Sequence, residues 1–100
     1  MAFAVMVEGT ASARHVETVR NALVTLAHES MKQPGTLRYE FYQPENDPLK
    51  FILFALWEDE AGWRANVASA EHDRYMAALP EDAWTSRPAL TKLLRVDKTT

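Results

Sequence analysis

The chain predicts an α+β fold of the ferredoxin-like kind, a four-stranded antiparallel sheet with helices on one face, in the order β-α-β-β-α-(α)-β. Three features carry that expectation. Lys50–Trp57, K-F-I-L-F-A-L-W, sets Phe51, Leu53, Ala55 and Trp57 on one side of a strand and Ile52, Phe54 and Leu56 on the other, because strand side chains alternate with period two. Val16, Val19, Leu23, Leu26, Ala27 and Met31 recur instead at helical spacing. The polar stretch Gln43–Leu49 joins two strand-like runs as the turn of an antiparallel hairpin. The central strand is apolar on both faces, and one layer of helices covers only one of them. In a chain of 100 residues the second cover is expected to be another copy of the chain, giving a homodimer.

Each element has its own signature. Phe3, Val5 and Val7 alternate with Ala4, Met6 and Glu8 as a first strand that Gly9 and Thr10 close. Ser12 is placed to cap the first helix, whose Arg14, Glu17, Arg20 and Thr25 turn toward water. Pro34-Gly35 stops it, since proline cannot continue a helix and glycine tolerates the left-handed exit. Leu37, Tyr39 and Phe41 alternate with Arg38, Glu40 and Tyr42 in a second strand, and six of the ten aromatic residues fall between Tyr39 and Trp57. After the central strand, Glu58 or Asp59 caps a helix with Trp63, Val67 and Ala70 in line and Asn66 one turn from Trp63. Ser69 caps a further segment in which His72, Tyr75, Met76 and Leu79 share a face, and Pro80 ends it. Glu81–Pro88 reads as loop and Ala89–Asp97 as a last strand carrying Leu90, Leu93, Leu94 and Val96.

Composition narrows the function classes. Hydrophobic residues are 47% and charged residues 25%, the balance of an ordinary folded domain, so residues 1–100 are expected to form one. The net charge is −3 and the 11 basic residues are scattered, which argues against a nucleic-acid or membrane-surface partner. Without cysteine there is no disulfide and no thiolate metal site. No apolar run approaches the roughly 20 residues of a membrane span, and the N-terminus lacks a basic region before its short apolar run, so the expected location is cytoplasmic. With three glycines and neither G-x-G-x-x-G nor G-x-x-x-x-G-K-[ST], no phosphate cradle is expected. No H-E-x-x-H or spaced His/carboxylate cluster suggests a metal.

Three phrases carry a family resemblance: P-G-T-L-R-Y-E-F-Y at Pro34–Tyr42, F-I-L-F-A-L-W-E-D-E-A-G-W at Phe51–Trp63 and S-R-P-A-L-T-K-L-L at Ser86–Leu94. In order and spacing the chain resembles the antibiotic biosynthesis monooxygenase family of dimeric α/β barrels. That family includes quinol and anthrone oxygenases that work without flavin, metal or haem. The resemblance implies a cofactor-independent monooxygenase of a small phenolic, quinol or polyketide-like aromatic, with O₂ as co-substrate. In such chemistry the substrate anion passes an electron to O₂, and the radicals recombine to a hydroperoxide that collapses to a quinone. In the anthrone oxygenases an Asn, a Trp and a Tyr act together at positions that correspond here to Leu53, Trp57 and Trp63. Many quinol-oxidising relatives place histidines where this chain has Asn66 and Glu71, with His72 displaced by one. The haem-degrading branch would need an iron ligand at Met76, where no imidazole stands.

The residues themselves suggest the roles. His72 is the one histidine on an inward face and the candidate base at neutral pH, whereas His15 and His28 fall at the edges of the first helix. Asn66 could hold a phenolate oxygen and Trp57 completes the expected catalytic group. Trp63, Tyr75, Leu53 and Phe51 are the expected substrate-binding residues, with Tyr75 as a second hydrogen-bond donor. Large aromatics and single inward histidines also serve as plain core, so a dimeric small-molecule-binding module without turnover is the alternative. An isomerase of a small carbonyl compound would need a more polar pocket than Leu53, Ala55 and Phe51 offer. Arg38 and Glu40 are expected to pair across the dimer seam, and the acidic run Glu58–Glu60 to complement a helix N-terminus.

Overall fold

In the computed structural model, which describes residues 2–97, the central strand β3 (Lys50–Trp57) is paired on both sides. Strand β1 (Phe3–Thr10) runs antiparallel to it from Phe3↔Trp57 to Thr10↔Lys50, and β2 (Thr36–Tyr42) from Thr36↔Trp57 to Tyr42↔Ile52. Strand β4 (Ala89–Leu93) pairs with the other side of β1, so the sheet order is β2-β3-β1-β4. Helices α1 (Val16–Met31), α2 (Glu60–Val67) and α3 (Ala70–Ala78) complete the expected ferredoxin-like α+β fold.

Period-two alternation decides which side chains meet the helices. Phe51, Leu53, Ala55 and Trp57 are all buried, and with Val5 and Tyr39 from the flanking strands they pack beneath Val19, Leu23 and Leu26 of α1. The opposite face carries Met6, Ile52, Phe54 and Leu56, none of them buried. Arg38 lies over the Phe54 ring at 4.8 Å on that face. It also pairs with Glu40 at 2.7 Å, and the Tyr42 hydroxyl donates to the same carboxylate at 2.7 Å. Those contacts hold the Glu40 carboxylate below its ordinary pKa and lift the Arg38 guanidinium above its own.

The helix ends follow local chemistry. Asp59 caps α2 by accepting from the Gly62 N–H at 3.1 Å, and Ser69 caps α3 by accepting from the His72 N–H at 3.1 Å. Gly35 adopts φ 81 in the turn after α1, the left-handed region open to glycine. No described helix is long and apolar enough to cross a membrane.

Several boundaries differ from the sequence reading. Strand β1 continues through Gly9 and Thr10, because Phe51 and Lys50 still offer it a partner there. Ser12 does not cap α1: its hydroxyl donates to the Asp82 carbonyl, and a 3₁₀ turn, Ala13–His15, precedes the helix. A register shift between Thr36 and Arg38 leaves Leu37 exposed. Met31, Val67 and Met76 are also exposed. The break at Ala68–Ser69 restarts the helical phase, so the inward stripe is Trp63 and Asn66, then His72, Tyr75 and Leu79. The last strand ends at Leu93, opposite Ala4, and Leu94 and Val96 beyond it are 88% and 92% exposed.

Candidate functional site

Between the helix face of the sheet and the helices lies a cavity of about 110 Å³. Its floor is Val7 and Gly9 of β1, Tyr39 and Phe41 of β2, and Phe51 and Leu53 of β3. Leu23 and Leu26 of α1 close one side, His72 and Tyr75 of α3 another, and Trp84 and Pro88 a third. The lining is mostly apolar, with His72, Tyr75 and Tyr39 as its titratable groups.

The position of His72 is fixed from the start of α3. Ser69 accepts from its backbone N–H and donates its own hydroxyl to the Asn66 carbonyl at 2.7 Å. The Asn66 side-chain amide donates to Ser30 Oγ at 3.0 Å and to Gln33 Oε1 at 2.9 Å. Gln33 in turn donates to Ser69 Oγ at 3.3 Å and Glu71 Oε1 at 3.4 Å. This network ties the end of α1 to the α2–α3 junction and sets the turn from which His72 and Tyr75 project. Their rings meet edge-on, 5.7 Å apart.

Burial acts on each titratable group in a predictable direction. It lowers the His72 pKa from its ordinary 6.5, with Asp73 opposing weakly, so the neutral imidazole is favoured. It pushes the Tyr75 phenol up to about 12. Tyr39 is raised further by the same cause, against the pull of the Ser30 hydroxyl. At neutral pH the cavity therefore holds an imidazole able to accept a proton beside phenols that keep theirs.

Of the residues expected to share a site, the structure gathers His72, Tyr75, Leu53 and Phe51 around one cavity, the first two on the α3 side and the last two on the floor. The other three stand elsewhere. Trp57 faces the helices but is 1% exposed within the core, between Phe3 and Tyr39, and its indole N–H has no partner among the described residues. Trp63 stacks on Phe3 at 5.0 Å, with the Lys92 ammonium 5.1 Å from its ring. Asn66 is 2% exposed and commits its amide to Ser30 and Gln33.

Trp84 and Pro88, in the Glu81–Pro88 loop whose sequence predicts no site role, form a wall of the cavity. Ala11 bridges to Trp84, Ser12 N–H donates to Ala83 O at 2.8 Å and Thr85 N–H to Thr10 O at 2.9 Å, pinning the loop to the end of β1. A Cβ at Gly9 would stand 3.0 Å from two carbons of the Trp84 ring, so a residue without a side chain lets the indole lie there. The legible signal was Ala83-Trp84, an apolar pair inside a polar loop.

A family model described as antibiotic biosynthesis monooxygenase matches residues 2–78. The chain belongs to the antibiotic biosynthesis monooxygenase family. It is similar to a candidate antibiotic biosynthesis monooxygenase of Nitrosomonas europaea, with TM-score 0.88 and 16% identity over 94% of this chain and 98% of that one. The Rv0793 protein of Mycobacterium tuberculosis superposes with TM-score 0.87 and 17% identity over 100% of both chains. The PA3566 protein of Pseudomonas aeruginosa gives TM-score 0.86 and 21% identity over 95% of this chain and 94% of that one. At these identities the shared property is the fold. No curated protein matches the sequence. The cavity wall formed by Trp84 and Pro88 lies past the span that the antibiotic biosynthesis monooxygenase model matches.

Proposed function

We propose that this chain is a cofactor-independent monooxygenase of a small phenolic, quinol or polyketide-like aromatic substrate. The observation that carries the reading is the pairing of the His72 imidazole, biased toward its neutral form, with the Tyr75 phenol on one wall of a mostly apolar cavity. Phe51 and Leu53 bind the ring, His72 takes the phenolic proton, and Tyr75 donates a hydrogen bond to the oxygen that becomes anionic. The anion gives one electron to O₂, superoxide and the substrate radical join in a C–O bond, and the His72 imidazolium returns its proton to the resulting peroxide anion to give the hydroperoxide. Loss of water from that hydroperoxide leaves the quinone, one oxygen atom going to product and the other to water. Trp57, Trp63 and Asn66, standing behind this wall, support it rather than touch substrate.

The test is oxygen uptake by purified protein offered a panel of quinols and anthrones. Uptake equimolar with quinone formed supports the reading. Binding without uptake favours the turnover-free module instead, for which the commitment of the Asn66 amide within the fold speaks. Neither binding nor uptake across the panel defeats both.

The reading includes a homodimer joined through the open sheet face. Ile52, Phe54 and Leu56 need cover, and the Arg38–Glu40–Tyr42 set at their edge supplies polar groups for a rim. Sedimentation should give a dimer for the wild type and a monomer for Ile52→Glu, since a carboxylate set beside Glu8, its partner on β1, within an apolar interface is costly. A wild type that sediments as a stable monomer at micromolar concentration rules the dimer out.

A further inference from the structure

The cavity has a neighbour. On the outer side of α1 and α3 runs a groove of about 480 Å³, with Asn21, Thr25 and Arg74 on its rim and Ala22 and Ala78 between them. Leu26 and Tyr75 line both the groove and the cavity, so these two side chains form the partition between them.

The other walls are held more firmly. The floor belongs to strands paired on both sides of β3, and the register shift at Thr36–Arg38 precedes the Tyr39 and Phe41 that line the cavity. The Trp84 wall is tied to the end of β1 by the Ser12–Ala83 and Thr85–Thr10 backbone hydrogen bonds. A second recess, of about 190 Å³, shares Leu23, Phe41 and Phe51 with the cavity. There Arg20 covers the Phe51 ring at 5.5 Å while donating to Gln43 at 3.1 Å, and Phe51 itself sits on β3. By contrast α3 has no buried residue, and its anchor is at its beginning, where Ser69, Gln33 and Glu71 meet. Tyr75 lies past that anchor, one turn along α3. An exposed Arg74–Glu29 pair at 3.2 Å spans the rim, and surface pairs hold little.

We propose that Tyr75 is the movable wall of the site: ligand reaches the cavity from the α1–α3 groove when the Tyr75 ring turns aside, and the ring in place restricts the cavity to a single aromatic ring. This deepens, and rests on, the reading of the cavity as an aromatic site. The size limit follows from volume, since an apolar cavity of about 150 Å³ is known to take benzene and this one measures about 110 Å³. A fused polycycle fits only by displacing Tyr75 and extending into the groove, where Asn21, Thr25 and Arg74 would meet its polar substituents.

The test uses the intact protein and para-fluorophenol, with fluorine NMR line shapes reporting affinity and exchange rate together. Ala78→Trp and Ala22→Phe each fill the groove from surface positions, while Val24→Trp fills the recess on the Arg20 side. The expected result is that either groove substitution slows association and dissociation together by about tenfold or more, as a blocked gate does, with the dissociation constant unchanged, and that Val24→Trp leaves the rates alone. Unaltered rates in both groove variants, or slowing by Val24→Trp instead, overturn the assignment of Tyr75 as the gate. A wild type that binds no para-fluorophenol overturns the aromatic-site reading itself, an outcome distinct from binding by another route. As an independent check, Tyr75→Ala should bind a naphthol at least about tenfold more tightly than the wild type, while Tyr75→Phe, which keeps the wall, should not.

Discussion

Replacing His72 by alanine is expected to lower turnover of a phenolic substrate by about 10²- to 10⁴-fold, the range supplied by a positioned base, while binding of that substrate changes little. The separation follows from the geometry. Most of the cavity surface is Phe51, Leu53, Tyr39 and the other apolar walls, and these hold an aromatic ring whether or not the imidazole is present. Proton removal, however, has one imidazole to rely on among the cavity-lining groups, because burial keeps both phenols protonated at neutral pH. The pH profile gives an independent readout. Burial lowers the His72 pKa from 6.5, so the active neutral form persists into mild acid and the acid limb of kcat/KM should fall below pH 6.5. The same shift has a consequence for folding. Around and below pH 6.5 the unfolded chain binds more protons at this position than the folded one, so acidification through that window costs stability. His72→Gln should remove both effects. An acid limb unchanged in that variant, or turnover within a few fold of the wild type, would eliminate His72 as the base.

Trp57→Ala is expected to be the most destabilising single substitution, costing about 3–5 kcal/mol as large aromatic truncations in cores do. Against a typical total of about 5–15 kcal/mol, that is a large share of what keeps such a domain folded. Trp57 is 1% exposed, packs edge-on against Tyr39 at 6.1 Å, and is roofed by Gly62, where an added Cβ would already stand 3.0 Å from the indole. The surroundings come from two paired strands and a capped helix, which cannot collapse easily into the space. Trp57→Phe should cost less than half as much: it retains most of the apolar area and removes an indole N–H that has no hydrogen-bond partner among the described residues. Urea unfolding followed by circular dichroism measures both. A loss below about 1.5 kcal/mol for the alanine variant would mean that Trp57 is not the packed centre that its burial indicates.

Much of the fold was legible because its signals are local and periodic. Phe51–Trp57 alternates with period two, α1 repeats at helical spacing, and Asp59 and Ser69 cap the helices that their positions predicted. What was misread depended on partners distant in sequence. Ser12 looks like a cap, yet its hydroxyl is taken by the Asp82 carbonyl, 70 residues away. Asn66 looked free for chemistry, and what employs its amide is Ser30 and Gln33, 36 and 33 residues earlier. Trp84 could not be placed in the cavity from its own neighbourhood, since the loop carrying it is positioned by the end of β1. The inward positions of His72 and Tyr75 were readable, being one helical turn apart on a short helix, but the size of the space they face was not, because volume is set by every wall at once.

The sheet's two outer edges bear on how the chain behaves at high concentration. Unpaired strand edges are templates for end-to-end growth, and such growth is hindered by irregular register, charge and short length. Strand β2 carries the register shift at Thr36–Arg38 together with Arg38 and Glu40, and β4 is only five residues long with Lys92 within it. The apolar surface, by contrast, lies on the sheet's open face, away from both edges. A sheet built this way resists growing edge to edge into fibres, because neither of its outer strands offers a long, regular and uncharged template.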